Sequence, residues 1–152
     1  MGALSTNKGK VAERHLVRWL RENGFGGAER AVRTGYRIAT RTAADPGDVT
    51  GTPGIIWSCK DAATERLPAW LAELDAMAAA DGDVRLLVHK RSGHADPGRW
   101  WCWLRLSTLL ELDGPRTLGR PVDVPVRMEL GHVVPLLRAA GYGDAIDDRA
   151  AG

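Results

Sequence analysis

Two apolar runs separated by one segment of helical period restrict the fold of this chain more than any other feature. Ile55, Ile56, Trp57 and Cys59 read as a buried strand. Leu67, Trp70, Leu71, Leu74 and Met77 recur at i, i+3, i+4, i+7 and i+10, the spacing of one helix face. Pro68 is tolerated near the first turn of that helix. Val84 to His89 is a second continuous apolar strand, ending in the basic triplet His89-Lys90-Arg91.

The flanking segments extend the pattern. Ser5, Thr6 and Asn7 are candidate caps for a helix over about Lys10 to Asn23, with Gly24 as its stop. Ala12, Leu16, Trp19 and Leu20 share one face of that helix at about 100° per residue. Lys10, Arg14, Arg18 and Arg21 form a separate basic stripe, and Glu13 falls on the boundary between the two. Like charges on one face repel, and an anionic partner would relieve them. A solvated helix face is the simpler account of the same stripe.

Arg33 to Thr40 is a further strand candidate, and residues 43–48 are turn chemistry. Ser92 to Gly98 reads as a loop and Arg99 to Leu106 as a tryptophan-rich strand. Ser107 or Thr108 is expected to cap a short helix running through Leu112. Val122 to Leu130 alternates apolar and polar residues, and Pro125 makes this an edge strand. Pro135 to Ala140 predicts a last helical turn or two before Gly141, and Asp144 to Gly152 a frayed tail. The order α-β-β-β-α-β-β-α implies an α/β domain around a mixed sheet flanked by helices.

With 152 residues the chain is long enough for one domain with a real core. No apolar run reaches the roughly 18 residues of a membrane span, and no signal-peptide core follows Met1. The expectation is a soluble, cytoplasmic protein with no membrane partner. Cys59 and Cys102, the only two cysteines, lie far apart in expected strands and read as reduced core thiols. His15, His89, His94 and His132 show no metal-ligand spacing. A net charge of +2 does not identify a partner, so the distribution of charge matters more than its sum.

The segment Pro46-Gly47-Asp48-Val49-Thr50-Gly51 leads into Ile55-Ile56-Trp57-Ser58-Cys59-Lys60. A carboxylate opens a turn and a lysine ends the following strand. Hydrolysis of a phosphodiester needs an activated water and neutralised oxygens; Mg²⁺ held by carboxylates, with a nearby lysine, can supply both. Residues i and i+2 of a strand share a face, so Ser58 and Lys60 project together and Cys59 points the other way. Taken singly, Asp48 is an ordinary turn residue, Lys60 a solvated strand end, and Glu13 a partner for Lys10 or Arg14.

Over roughly residues 8 to 112 these pieces together resemble the PD-(D/E)xK nuclease superfamily, in particular the Holliday-junction resolvases of archaea and actinobacterial phages. The resemblance implies a restriction-endonuclease-like sheet in a domain spanning 1–112; residues 113–152, which it does not cover, are expected as a C-terminal extension packing on the same domain, with a frayed tail. It implies a Mg²⁺- or Mn²⁺-dependent endodeoxyribonuclease acting on branched or duplex DNA as a homodimer. Asp48 and Glu13 would ligate metal and Lys60 would be the catalytic lysine. Ser58 stands where the family carries a second acid. Asp45, Glu13 or Glu65 would have to compensate, or Ser58 would act through a metal-bound water. By the same resemblance Lys90 and Arg91 are candidate phosphate contacts, joined by Lys8, Lys10 and Arg14. Two alternatives stay open: a DNA-binding protein that keeps the scaffold with an eroded site, and a restriction- or repair-type nickase on the same fold. The tryptophans are expected as core and dimer-interface mass rather than base-stacking platforms.

Overall fold

A computed structural model describes residues 2–31, 47–77, 84–114 and 124–146. Among them the chain forms an α/β fold, a mixed six-stranded sheet flanked by four helices. In chain order the elements are α1 (Gly2–Glu22), β1 (Glu29–Arg30), β2 (Val49–Thr50), β3 (Ile55–Lys60), α2 (Leu67–Ala76), β4 (Val84–His89), β5 (Trp101–Arg105), α3 (Leu106–Asp113), β6 (Pro125–Glu129) and α4 (Leu130–Ala139). A 3₁₀ turn, Pro97–Arg99, precedes β5. The expected strand over Arg33 to Thr40, the turn up to Pro46 with Asp45, and the last residues of the expected tail lie outside the described residues.

The strands lie in the order β1-β2-β3-β4-β5-β6. Only β3 and β4 are parallel, in register from Ile55↔Val84 to Lys60↔His89. Parallel neighbours need a crossover, and α2 supplies it. Alternation along the strands then divides the core in two. Ile55, Trp57, Cys59, Val84, Leu86, Val88, Cys102 and Leu104 point to the side of α1 and α4. Ile56 and Leu87 point the other way and pack with Trp70, Leu71, Leu74 and Met77 under α2. Each apolar side chain sealed in this way contributes about 1.5–3 kcal/mol relative to exposure.

The helix α1 buries Ala12, Leu16 and Leu20 completely, and Val17 nearly so. Trp19, expected on that face, is only partly buried and packs from its edge. The helix runs through Ser5, Thr6 and Asn7, so these are not its caps. It stops as expected: Gly24 has φ +94°, and Phe25 N–H donates to Leu20 O at 3.0 Å. Two more boundaries differ from expectation. α3 follows β5 directly, with Arg105 at its N-cap and no side-chain cap, so Ser107 and Thr108 lie inside the helix. α4 starts at Leu130 and carries Pro135 in its interior. Leu130, Val133, Val134 and Leu137 are all buried on its inner face, and that burial outweighs the missing hydrogen bond.

β6 is the edge strand foreseen around Pro125, paired with β5 from Trp101↔Glu129 to Arg105↔Pro125. The chain beyond α4 is not frayed at Asp144. Its N–H donates to Gly24 O at 2.7 Å, its Oδ2 accepts from Gly26 N–H at 2.8 Å, and its carbonyl accepts from Arg138 Nη1 at 2.6 Å. Both cysteines are free and buried, as expected. No helix among the described residues is long and apolar enough to cross a membrane.

Candidate functional site at the carboxyl ends of β3 and β4

Asp48 enters the sheet through a turn that requires glycine before it. Gly47 has φ +88°, and a Cβ there would meet Trp57 O at 2.5 Å. Asp48 N–H donates to Trp57 O at 2.7 Å, and its Oδ2 accepts from Cys59 N–H at 2.7 Å. A side-chain oxygen thus continues the β2–β3 ladder beyond the last backbone pair. Glu13, on the rim of the buried face of α1, lies 3.6 Å from Arg30 Nη1 of β1.

Both carboxylates converge on the end of β3. Burial is the first cause that pushes the Cys59 thiol well above its ordinary range; the charges of Asp48, Glu13 and Asp61 follow in that order, with Lys60 opposing. Three acids from three different segments therefore share the neighbourhood of one buried thiol. The partial burial of Glu13, at 18% side-chain exposure, fits the boundary position read from its helix.

Ser58 and Lys60 share a strand face, and it is the face of α2, opposite α1. Ser58 is completely buried, and its Oγ has no hydrogen-bond partner among the described residues. Lys60 Nζ lies 2.6 Å from Glu73 Oε2 on α2. The structure thus gathers Glu13 and Asp48 beside Cys59 and draws the Lys60 ammonium toward the other helix. Mg²⁺ is characteristically held by one or two carboxylates plus waters and substrate phosphates. Glu13 and Asp48 have that donor chemistry, whereas Ser58 is sealed from any ion at the surface. Among the described residues no three His, Cys, Asp or Glu side chains group closely enough to hold a metal by themselves. Asp45 lies outside the described residues, and Glu65 is exposed in the loop before α2.

A cleft of about 790 Å³ opens at the carboxyl ends of β3 and β4, against the N-terminal half of α1. That edge is where open α/β sheets place ligands, because the strand-to-helix loops there are free to vary. Lys8, Lys90 and Arg91 line it, with Asp61, His89 and Trp101. Lys90 Nζ lies 3.6 Å from Asp61 Oδ2, and Arg91 Nη1 lies 3.3 Å from Glu129 Oε1. His89 is 8% exposed, holds Ala62 O at 2.8 Å through Nε2, and stacks edge-on to Trp70. Lys10 and Arg14 do not line the cleft; they are exposed on the outer side of α1.

Trp101, Arg127 and Asp61 were not singled out from the sequence. Arg91 and Arg127 both lie over the Trp101 ring, 4.1 and 4.2 Å from its centroid. Alternation in β5 puts Trp101 and Trp103 on one face, but only the pairing Trp103↔Arg127 brings Arg127 to them. No family model matches the chain, and neither a curated protein nor a solved structure matches it.

Proposed function

We propose that this chain is a metal-dependent DNA endonuclease, with branched DNA, the Holliday junction above all, as its substrate and a homodimer as its working form. One observation carries the reading. Asp61 belongs both to the carboxylate group around Cys59 and to the wall of the cation-lined cleft, through Lys90. The acids expected to hold a metal therefore adjoin a surface suited to the phosphate backbone.

In this reading Asp48 and Glu13 hold Mg²⁺ or Mn²⁺, which activates water and offsets phosphate charge when bound. Lys8, Lys90 and Arg91 fix the backbone and set its register. Lys60, once released from Glu73, neutralises charge at the scissile phosphate or orients the attacking water. Two such sites related by a twofold axis would nick the two symmetric strands of a junction.

A second reading is favoured by a specific pair of facts, the sealing of Ser58 and the engagement of Lys60 by Glu73. It makes the chain a DNA-binding protein that no longer cuts. The deciding experiment incubates the purified protein with Mg²⁺ or Mn²⁺ on junction, flap and duplex DNA. The endonuclease reading expects junction cleavage, reduced by about 10²-fold or more in Asp48→Asn and Lys60→Ala. Salt-sensitive junction binding with no cleavage, or cleavage indifferent to both substitutions, overturns it. Preferential cutting of duplex would instead identify a restriction- or repair-type nickase.

A further inference from the structure

The face of β5 and β6 turned toward α2 carries Trp101, Trp103 and Arg127, and no described helix packs over Trp101 and Arg127. Trp101 is half-buried and Arg127 exposed. The two arginines over the Trp101 ring are held differently. Arg91 is tied by Glu129 at 3.3 Å and by Arg99 O at 3.4 Å. Arg127 has no acidic partner among the described residues; its ring contacts, 4.2 Å over Trp101 and 5.6 Å over Trp103, are what place it. Trp101 also lines the cleft that holds Lys8, Lys90 and Arg91.

We propose that Trp101 is a stacking platform for an unpaired nucleotide, with Arg127 as its displaceable cover. This inference rests on the reading of DNA as the partner and names the part of it that is recognised. The occupant is argued from charge and shape together. Around the ring, Lys8, Lys90, Arg91, Arg99 and Arg127 meet, among the described residues, the acids Asp61 and Glu129, so the surface favours a polyanion. An aromatic ring beside a row of cations is how proteins hold single strands, the base on the ring and the phosphates on the cations. A cation–π contact at an exposed site is weaker than stacking of a base on an aromatic ring. An incoming base therefore takes the place of the Arg127 guanidinium, which turns to a neighbouring phosphate. Bases inside a duplex are already stacked and present no face to the ring. The cleft volume of about 790 Å³ lies within the range of small-ligand sites.

The test measures binding of three fluorescently labelled DNAs to the full chain without divalent metal: a 12-mer single strand, its duplex, and an abasic 12-mer of equal charge. The expected result is that the abasic strand binds about tenfold more weakly than the natural strand. Trp101→Leu brings the natural strand down to the abasic level and leaves the abasic strand unchanged. Arg127→Ala, at an exposed position, lowers the salt dependence of natural-strand binding by about one phosphate contact and leaves that of the abasic strand unchanged. Should Trp101→Leu fail to fold, the abasic comparison and Arg127→Ala decide alone. Equal binding of natural and abasic strands overturns the platform while leaving a DNA-binding cleft in place. Absence of binding to all three DNAs overturns the platform, and the proposed function then stands or falls on the junction-cleavage assay.

Discussion

Lys60 and Glu73 form an ion pair 2.6 Å apart, yet Glu73 is 56% exposed. Pairs that open to water contribute about 0–1 kcal/mol, so the contact matters more for where the ammonium points than for stability. Glu73→Gln should leave chemical-denaturation stability within about 1 kcal/mol of the parent. Under the endonuclease reading it should raise the single-turnover cleavage rate several-fold, because Lys60 no longer has to leave an acid. A fall in rate would mean that Glu73 orients Lys60 rather than holding it back. Cys59 and Cys102 bear on stability through pH. Burial raises both thiols above their ordinary value of 9.0. A folded pKa above the unfolded one means that the stabilisation is complete below about pH 9 and is lost as pH rises beyond it. Urea midpoints should therefore drop above pH 9, and Cys102→Ala should make that drop shallower. Neither thiol should react with an aromatic disulfide reagent until the chain unfolds.

Among the elements, β3, α2 and β4 were the most legible in the sequence. Their apolar residues are buried on both sides or along one helical face, so the periodicity of Ile55–Cys59, Leu67–Met77 and Val84–His89 is a direct record of the core. α4 was the least legible. Pro135 marks a helix start in an isolated peptide, and Leu130 alternates in phase with β6, so the pattern hides a helix beginning at Leu130. Packing reverses that reading, since Leu130, Val133 and Leu137 have no exposed surface. Leu137→Ala should accordingly destabilise the protein by about 2–5 kcal/mol, measurable by urea or thermal unfolding. A change near zero would show that α4 docks loosely. The candidate site follows the same division. Glu13 on a helix boundary, Asp48 at a glycine turn and Lys60 at a strand end were all visible as positions. That Lys60 leans to Glu73, and that Arg127 reaches Trp101, depended on partners 13 and 26 residues away in a register no local pattern encodes.

At the scale of the whole molecule, charge is arranged by topology rather than by amount. A net charge of +2 is small, yet Lys8 from α1 and Lys90 and Arg91 after β4 meet at one edge of the sheet, with Arg127 of β6 over the Trp101 ring beside them. If that edge holds a phosphate backbone, log K for duplex DNA should fall with log salt at a slope of about −2 to −3, as three contacts predict. Lys8→Ala should reduce the slope by about one, whereas Arg14→Ala on the outer side of α1 should leave it unchanged. Equal effects of the two substitutions would mean that the DNA runs over α1 instead of through the cleft.

The sequence by itself determined the fold class, most of the core and the chemistry available at the end of β3. Those depend on hydrophobic period and turn residues, which act over a few positions of chain. Only the tertiary structure decided which carboxylates meet, which face holds Lys60, that Ser58 is sealed, and that a tryptophan stands among the cations. These follow from strand register and helix docking, where residues far apart in sequence are made neighbours by burying a common core.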